Sequence, residues 1–393
     1  MDPRSPLRKD FSLVAGGPLH WIEQRLGLTK PGSLGLVRRA GVAVLVTWVP
    51  LLILSAVEGL AIGHRVKLPL LYDFAAYTRL LIAVPLLIVA EGIVERHVAG
   101  VAMHLMHSEL LPDSERPRFK RALDQCGALR DSVLAEGLLL MLTGVSVVVA
   151  RSQFPFPFSS WRSIVTDSVH VRTFAGWWYL IIGVGLLQFL LWRWLWRLVI
   201  WYRLLWLVSR LDLRLIPTHP DRAAGLGFIG EAQRSYWIIV FAMSAATSGV
   251  LADEIVHAGV PLQSYEIAVA AYVAMALVVF LGPLLMFLPS LVEAKRKSLH
   301  DYSALAVIHH QMFDRKWVHG DNPAGDSVLG TPEISSLADL GNAYDVLDRM
   351  RPVPFDPADA LVLAAAALVP MAPLLLTVMP LDKMLELMSK VLV

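Results

Sequence analysis

Seven runs of roughly twenty residues are apolar almost throughout, which is the length a helix needs to cross a bilayer core about 30 Å thick. They are Ala40 to Ile62, Tyr77 to Arg96, Ser132 to Ala150, Phe174 to Leu195, Ser235 to His257, Glu266 to Pro289 and Pro357 to Val378. The pattern predicts an all-α polytopic membrane helix bundle of about seven transmembrane helices with a small cytoplasmic helical layer. The chain divides accordingly into residues 1–39, a cytoplasmic segment; 40–290, six spans; 291–356, a cytoplasmic helical region; and 357–393, the last span with its tail.

Helical spacing extends beyond the spans. The sixth continues through "LVEAKRKSLHDYSALAVIHHQMF" without Gly or Pro, keeping Leu299, Tyr302, Leu305, Ile308 and Met312 three or four residues apart. Such a helix projects into the cytoplasm, and its stripe needs a cover, either the other cytoplasmic helices or the same helix of a second copy. Ile334, Leu337, Leu340, Tyr344, Leu347 and Met350 mark a further amphipathic helix, ended by Pro352 and Pro354. With Arg116 to Arg130 these make the predicted layer. Leu19, Ile22 and Leu26 suit a helix lying in the interface over Leu19 to Leu28, and Leu381, Met384, Leu385 and Met388 suit one at the outer surface.

Composition agrees: 56% of residues are hydrophobic and only 17% charged, too little polar surface to clothe a soluble globule of 393 residues. Charge placement sets orientation, because short basic segments stay on the cytoplasmic side. With the N-terminus inside, the cytoplasmic segments hold 7, 5, 7 and 7 Lys and Arg against 2, 3, 0 and 2 outside. The N-terminus is therefore expected inside, without a cleavable signal, and the C-terminus outside. The net charge of +2 follows from this bias, so no nucleic-acid partner is implied. Cys126 is the single cysteine, which excludes an intrachain disulfide and implies a reduced thiol.

No Rossmann glycine fingerprint, Walker A, HExxH or Ser-His-Asp arrangement is present at usable spacing, so neither an enzyme nor a cofactor is expected. His97, His104 and His107 share a helix face, and His309, His310 and His319 follow the sixth span. Without a companion cysteine set both groups read as solvated or pH-sensitive faces, and no metal is expected.

Ionisable residues at membrane depth are costly and mark either a path or a packed pair. At about 1.5 Å per residue they fall into two layers. The outer holds Glu58, Arg79, Asp253 and Glu254; the inner holds Glu91, Glu95, Glu136, Arg193 and Arg197. An apolar zone with Pro50, Pro85 and Gly282-Pro283 separates them. Two readings stand. In one, Glu58, Arg79, Glu91, Glu136, Arg193, Asp253 and Glu254 line a permeation path gated by an apolar constriction. In the other they pair, as Glu58–Arg79 and Glu136–Arg193, to hold the bundle. Pro85, by disrupting the helix ladder, favours a cavity beside Glu91. Trp192, Trp194, Trp196, Trp201 and Trp206 read as an interfacial belt, making Trp192 to Leu211 the span's inner end running into an interface helix.

The segment "PTHPDRAAGLGFIG", Pro217 to Gly230, joins the fourth and fifth runs. Gly225, Gly227 and Gly230 permit close backbone approach, and the amides opening the fifth span, with His219 and Arg222 nearby, suit an anion. Equally, Asp221 suits a helix cap and Pro220 a turn. "HPDRAAGLGF" and "ISSLADLGNAYDVLDRMRPVPF", with "LVPMAPLLLTVMPLDKMLELMSKVL" behind them, resemble a family of uncharacterised bacterial multi-pass inner-membrane proteins. Ala224 stands where members tend to carry a glycine. The resemblance implies the bacterial inner membrane and brings no activity. The function expected is a homo-oligomeric channel or transporter for an ion or small solute, its partners being lipid and copies of itself. A scaffold whose cytoplasmic helices dock another protein is the alternative.

Overall fold

A computed structural model describes residues 12–25, 27, 35–63, 65–152, 157–166, 169–319 and 332–377. Among these, seven helices are long and apolar enough to cross a membrane: Leu36–Val57, Phe74–His107, Val133–Arg151, Phe174–Val208, Gly227–Ala258, Leu262–Val318 and Pro357–Thr377. Each coincides with one predicted run, and the bounds shift where a polar residue takes over as a cap. The first span stops at Val57 because Glu58 and Gly59 turn the chain, Gly59 at φ 69°, a conformation glycine adopts without a Cβ penalty. The second starts at Phe74, because the Asp73 side chain accepts from the Ala76 amide and caps the helix.

The fold is an all-α bundle whose described sheet is one antiparallel hairpin, β1 (Ser163–Thr166) with β2 (Val169–Arg172). This hairpin precedes the fourth span and names one end of the bundle; the N-terminal helix, Gly17–Arg25, names the other. The second, fourth and fifth spans form the buried centre. The third faces outward, with 6% of its apolar window buried, as suits lipid contact.

Both the second and fourth spans pass through a π-helical segment near the hairpin end, Thr78–Ala83 and Tyr179–Val184. In the second, Pro85 supplies no N–H and its ring crowds the preceding turn, so the ladder widens just before it. The two segments touch: Arg79 Nη1 donates to the Tyr179 hydroxyl at 3.1 Å, and a Cβ on Gly183 would lie 3.1 Å from Leu80. The expected cavity after Pro85 does not form. Leu80, Ala83, Val84 and Leu87 are wholly buried, because the fourth and fifth spans pack into the widened turn.

Three other expectations are corrected. The fourth span is one helix to Val208, with no separate interface helix. Its tryptophans are not all a belt: Trp194 and Trp201 are buried, Trp194 donating to Leu87 O of the second span at 3.0 Å and Trp201 to Gln233 Oε1 of the fifth at 2.8 Å. Arg116–Arg130 packs chiefly on the fourth span through Phe119, Ala122, Leu123 and Cys126 instead of on the other polar helices. Those two do pair: Pro332–Asp348 lies along Leu288–Phe313, with Lys295 Nζ on Asp348 O at 2.6 Å and Lys316 on Glu333 at 2.7 Å. Leu305, Ile308 and Met312 stay exposed. The side chains of Leu19, Ile22 and Leu26, and the tail Leu381 to Val393, lie outside the described residues.

Candidate functional site

Charged groups meet at both ends of the bundle. At the N-terminal end Glu91, fully buried on the second span, accepts from three arginines: Arg39 of the first span, and Arg197 at 2.8 Å and Arg193 at 3.5 Å on the fourth. Glu23 of the N-terminal helix pairs with Arg39 at 2.8 Å and lies 3.6 Å from Arg193. All three arginines are at most 7% exposed. They converge because Arg193 and Arg197 are one helical turn apart and so share a face. The chain ahead of the first span covers this cluster. Glu95, one turn after Glu91, accepts the amides of Leu13 and Val14 at 2.9 and 3.0 Å, and Arg130 donates to Ser12 O at 2.6 Å.

At the hairpin end the carboxylates cap helices in trans. Glu58, at the end of the first span, accepts from Phe174 N and Ala175 N, the first amides of the fourth, at 2.9 and 3.1 Å. Asp253, near the end of the fifth, does the same for Phe74 N and Ala75 N of the second at 2.8 and 3.0 Å. These amides have no intrahelical acceptor, and the helix dipole adds to their attraction for a carboxylate. Glu58→Ala and Asp253→Ala are each expected to cost about 1–2 kcal/mol, with Glu58→Gln milder because an acceptor oxygen remains; thermal unfolding in detergent measures this. Beside Asp253, Asp73 is fully buried and accepts from Arg162 at 2.7 and 2.5 Å and from Trp161 Nε1 at 2.8 Å. Outside the spans, the Arg162 guanidinium is held above its ordinary range, the carboxylate of Asp73 outweighing burial.

The loop between the fourth and fifth spans folds around its own carboxylate. Asp221 accepts from Ala223 N at 2.8 Å, Gly225 N at 3.1 Å and Gly227 N at 2.9 Å, with His219 Nδ1 2.9 Å away. Arg222, Ala224 and Gly225 all take positive φ. The amides that would suit an external anion are thus occupied internally. The loop docks onto the linker before the seventh span, where the Arg351 amide donates to Arg222 O at 2.7 Å and its guanidinium to Asp221 O at 2.8 Å. Gly230 gives the linker room, since a Cβ there would strike Pro354 O. A cleft of about 700 Å³ opens beside this junction, lined in part by His104, Glu109, Phe228, Glu231 and Arg234.

Burial works to raise the Asp221 pKa, but the three amides and His219 overcome it and hold the group below its usual range. A depressed carboxylate contributes stability that is full above its unfolded value, about 4, and is lost as pH falls through the folded one. Asp221→Ala is expected to cost about 2–3 kcal/mol at neutral pH. Wild type and variant should converge only below about pH 4, which pH-dependent thermal unfolding would show.

Compared with protein-family models, curated proteins and solved structures, the chain matches none. Its geometry alone must carry the functional reading.

Of the candidates from the sequence, Glu91 and Arg193 meet, whereas Glu58 and Arg79 have other partners. Glu136 lies in the first turn of the third span with its Oε1 facing Gly17, and Glu91 takes the place predicted for it beside Arg193. Glu254 accepts from the Tyr265 hydroxyl. Sequence reasoning missed Arg39 and Glu23 as cluster members, and Asp73 with Arg162. An aspartate directly before an apolar run was the available signal for Asp73.

Proposed function

We propose that the chain is a membrane transport protein for an ion or small solute, seated in the bacterial inner membrane with its N-terminus inside and working as a homo-oligomer. The observation that carries this is the wholly buried Glu91–Arg39–Arg193–Arg197 cluster with Glu23. A buried ion network is weak support for stability, and well-packed apolar residues often serve as well or better. Ionisable groups retained at membrane depth are more readily understood as part of a solute pathway. A closed apolar layer, Leu80 to Leu87, separates this cluster from Asp73 and Asp253, and the π segments of both central spans lie at that layer. This suits a gated route whose described state is shut, with the segment around Leu13 and Val14 as an inner cover.

A scaffold role has one observation in its favour, the exposed Leu305, Ile308 and Met312 stripe on the projecting helix. Flux of Na⁺, K⁺ and Cl⁻ through reconstituted protein, under varied pH and voltage, separates the two. No flux under any condition would favour the scaffold. Neither reading makes the chain an enzyme, and the resemblance of the HPD loop and the last linker adds no activity.

Orientation is testable with Arg222→Cys. Native Cys126 is buried and its thiol is pushed up to about 11 by burial, so it should stay silent to maleimides. Labelling of residue 222 from the periplasm of intact cells would overturn the inside placement.

A further inference from the structure

The segment ahead of the first span is fitted to the bundle through its main chain. Glu95 of the second span accepts the Leu13 and Val14 amides, Arg130 donates to the Ser12 carbonyl, and Asp131 accepts the Gly17 amide. Each of these bonds uses a backbone group of the segment. The slot also depends on missing side chains: a Cβ on Gly16 would strike Arg130 and Asp131, and one on Gly17, at φ 82°, would stand 2.7 Å from Glu136 Oε1. The glycine pair is therefore where the end of the Arg116–Arg130 helix and the third span admit only a bare chain.

This hold is mostly polar. Among the described side chains of residues 12–25 only Leu13 and Val14 are buried, whereas Trp21 is 52% exposed. Hydrogen bonds that water can replace contribute little net stability each, so such a segment belongs to the low-stability end of a structure and opens while the spans stay packed. Its opening reaches the Glu91 cluster. Glu23, on the helix Gly17–Arg25, pairs with Arg39 at 2.8 Å and lies 3.6 Å from Arg193, and both arginines bind Glu91 from within spans. Lifting the segment withdraws Glu23 and admits water to two guanidinium groups that are at most 7% exposed when it is down.

We propose that residues 12–25 form an autoinhibitory strap, latched at Gly16–Gly17, which lifts as a unit to open the N-terminal end of the bundle onto the Glu91 cluster. The inference rests on the transport reading for its consequence, that the lifted strap admits solute. The motion itself is independent of transport.

The test follows maleimide labelling of Leu13→Cys in detergent-purified full-length protein, where the new thiol replaces a buried leucine and native Cys126 is buried and silent. Slow labelling is expected well below the unfolding temperature, through local opening. Gly16→Val, which clashes with the slot and touches neither Glu91 nor its arginines, should speed labelling about tenfold or more with the bundle still folded. Glu95→Ala, which strips the acceptor from the Leu13 and Val14 amides, should act in the same direction and carries the test if Gly16→Val does not fold. Labelling that appears only as the bundle unfolds would overturn the proposal and make the segment part of the core. Unchanged labelling in both folded variants would overturn it as well. In liposomes, Gly16→Val without Leu13→Cys should pass several times the flux of wild type. Faster labelling with a measurable but unchanged flux would remove the autoinhibition and spare the transport reading; no flux in either form would sink that reading and leave labelling to decide the motion.

Discussion

Glu91→Gln is expected to destabilise the protein by about 3–5 kcal/mol, enough to remove most folded material from detergent extracts. Glutamine keeps the shape and one acceptor oxygen, but removes the charge that three arginines share, leaving Arg39, Arg193 and Arg197 with only Glu23. The fully buried position admits little water to screen the excess. Adding Arg197→Gln restores the native net charge of the cluster, so the double variant should recover part of the loss and show coupling of 1 kcal/mol or more. Glu136→Gln serves as the comparison, because Glu136 stands in the first turn of the third span with its Oε1 facing Gly17, and changing it leaves the pairs of Glu91 whole. Thermal unfolding of wild type, Glu91→Gln, Arg197→Gln, the double variant and Glu136→Gln decides the matter. If Glu91→Gln unfolds within a degree or two of wild type and only its ion flux changes, Glu91 belongs to an open path.

The contrast between Glu91 and Glu136 shows what the sequence could and could not supply. Helical rise is nearly constant, so counting residues along each apolar run sorts the charges correctly by depth. Glu91, Arg193 and Arg197 do meet at one end, and Glu58, Arg79, Asp253 and Glu254 do lie at the other. Partner choice needs azimuth and neighbour order as well. A helix turns about 100° per residue, so two residues at equal depth on different spans face each other only if packing turns them together. That is why Glu58 meets the amides of Phe174 and Ala175 instead of Arg79. The seven spans were legible because their length and apolarity are set by the bilayer. The π segments were not, since Pro85 announces a disturbance but neighbouring spans decide whether it opens a cavity or closes on Leu80 and Leu87. The tryptophans of the fourth span misled for the same reason: Trp201 looks interfacial until Gln233 supplies its buried acceptor.

Asp73→Ala is expected to have the other large effect, again about 3–5 kcal/mol, although nothing around Asp73 or Arg162 looks like a membrane charge in the sequence. Arg162 sits at the edge of the hairpin, 89 residues from its partner, and is buried to 8% exposure beside Trp161 and Tyr179. Asp73 accepts both of its carboxylate contacts, the Trp161 indole N–H and the Ala76 amide. Removing the aspartate thus takes the hydrogen-bonded partner from a buried cation, leaving it only the neighbouring Asp253, and strips the acceptor from a buried indole donor and from the Ala76 amide at once. Asp73→Asn keeps acceptors for the indole and the amide while leaving the guanidinium only the neighbouring Asp253 as a counter-charge, and should fall between alanine and wild type. The effect should also be local at first. Because the hairpin docks through Thr173 Oγ1 on Trp161 O at 2.6 Å and through Arg162, protease sites in residues 157–172 should open at temperatures where the spans still hold. Arg162→Gln, which leaves Asp73 its indole and amide donors, should be the milder of the two single losses, since an aspartate at a helix N-terminus retains favourable partners. If Asp73→Ala and Arg162→Gln prove equal, or if neither exposes the hairpin before global unfolding, the hairpin is held by apolar contact with Leu68 and Tyr179 instead of by this pair.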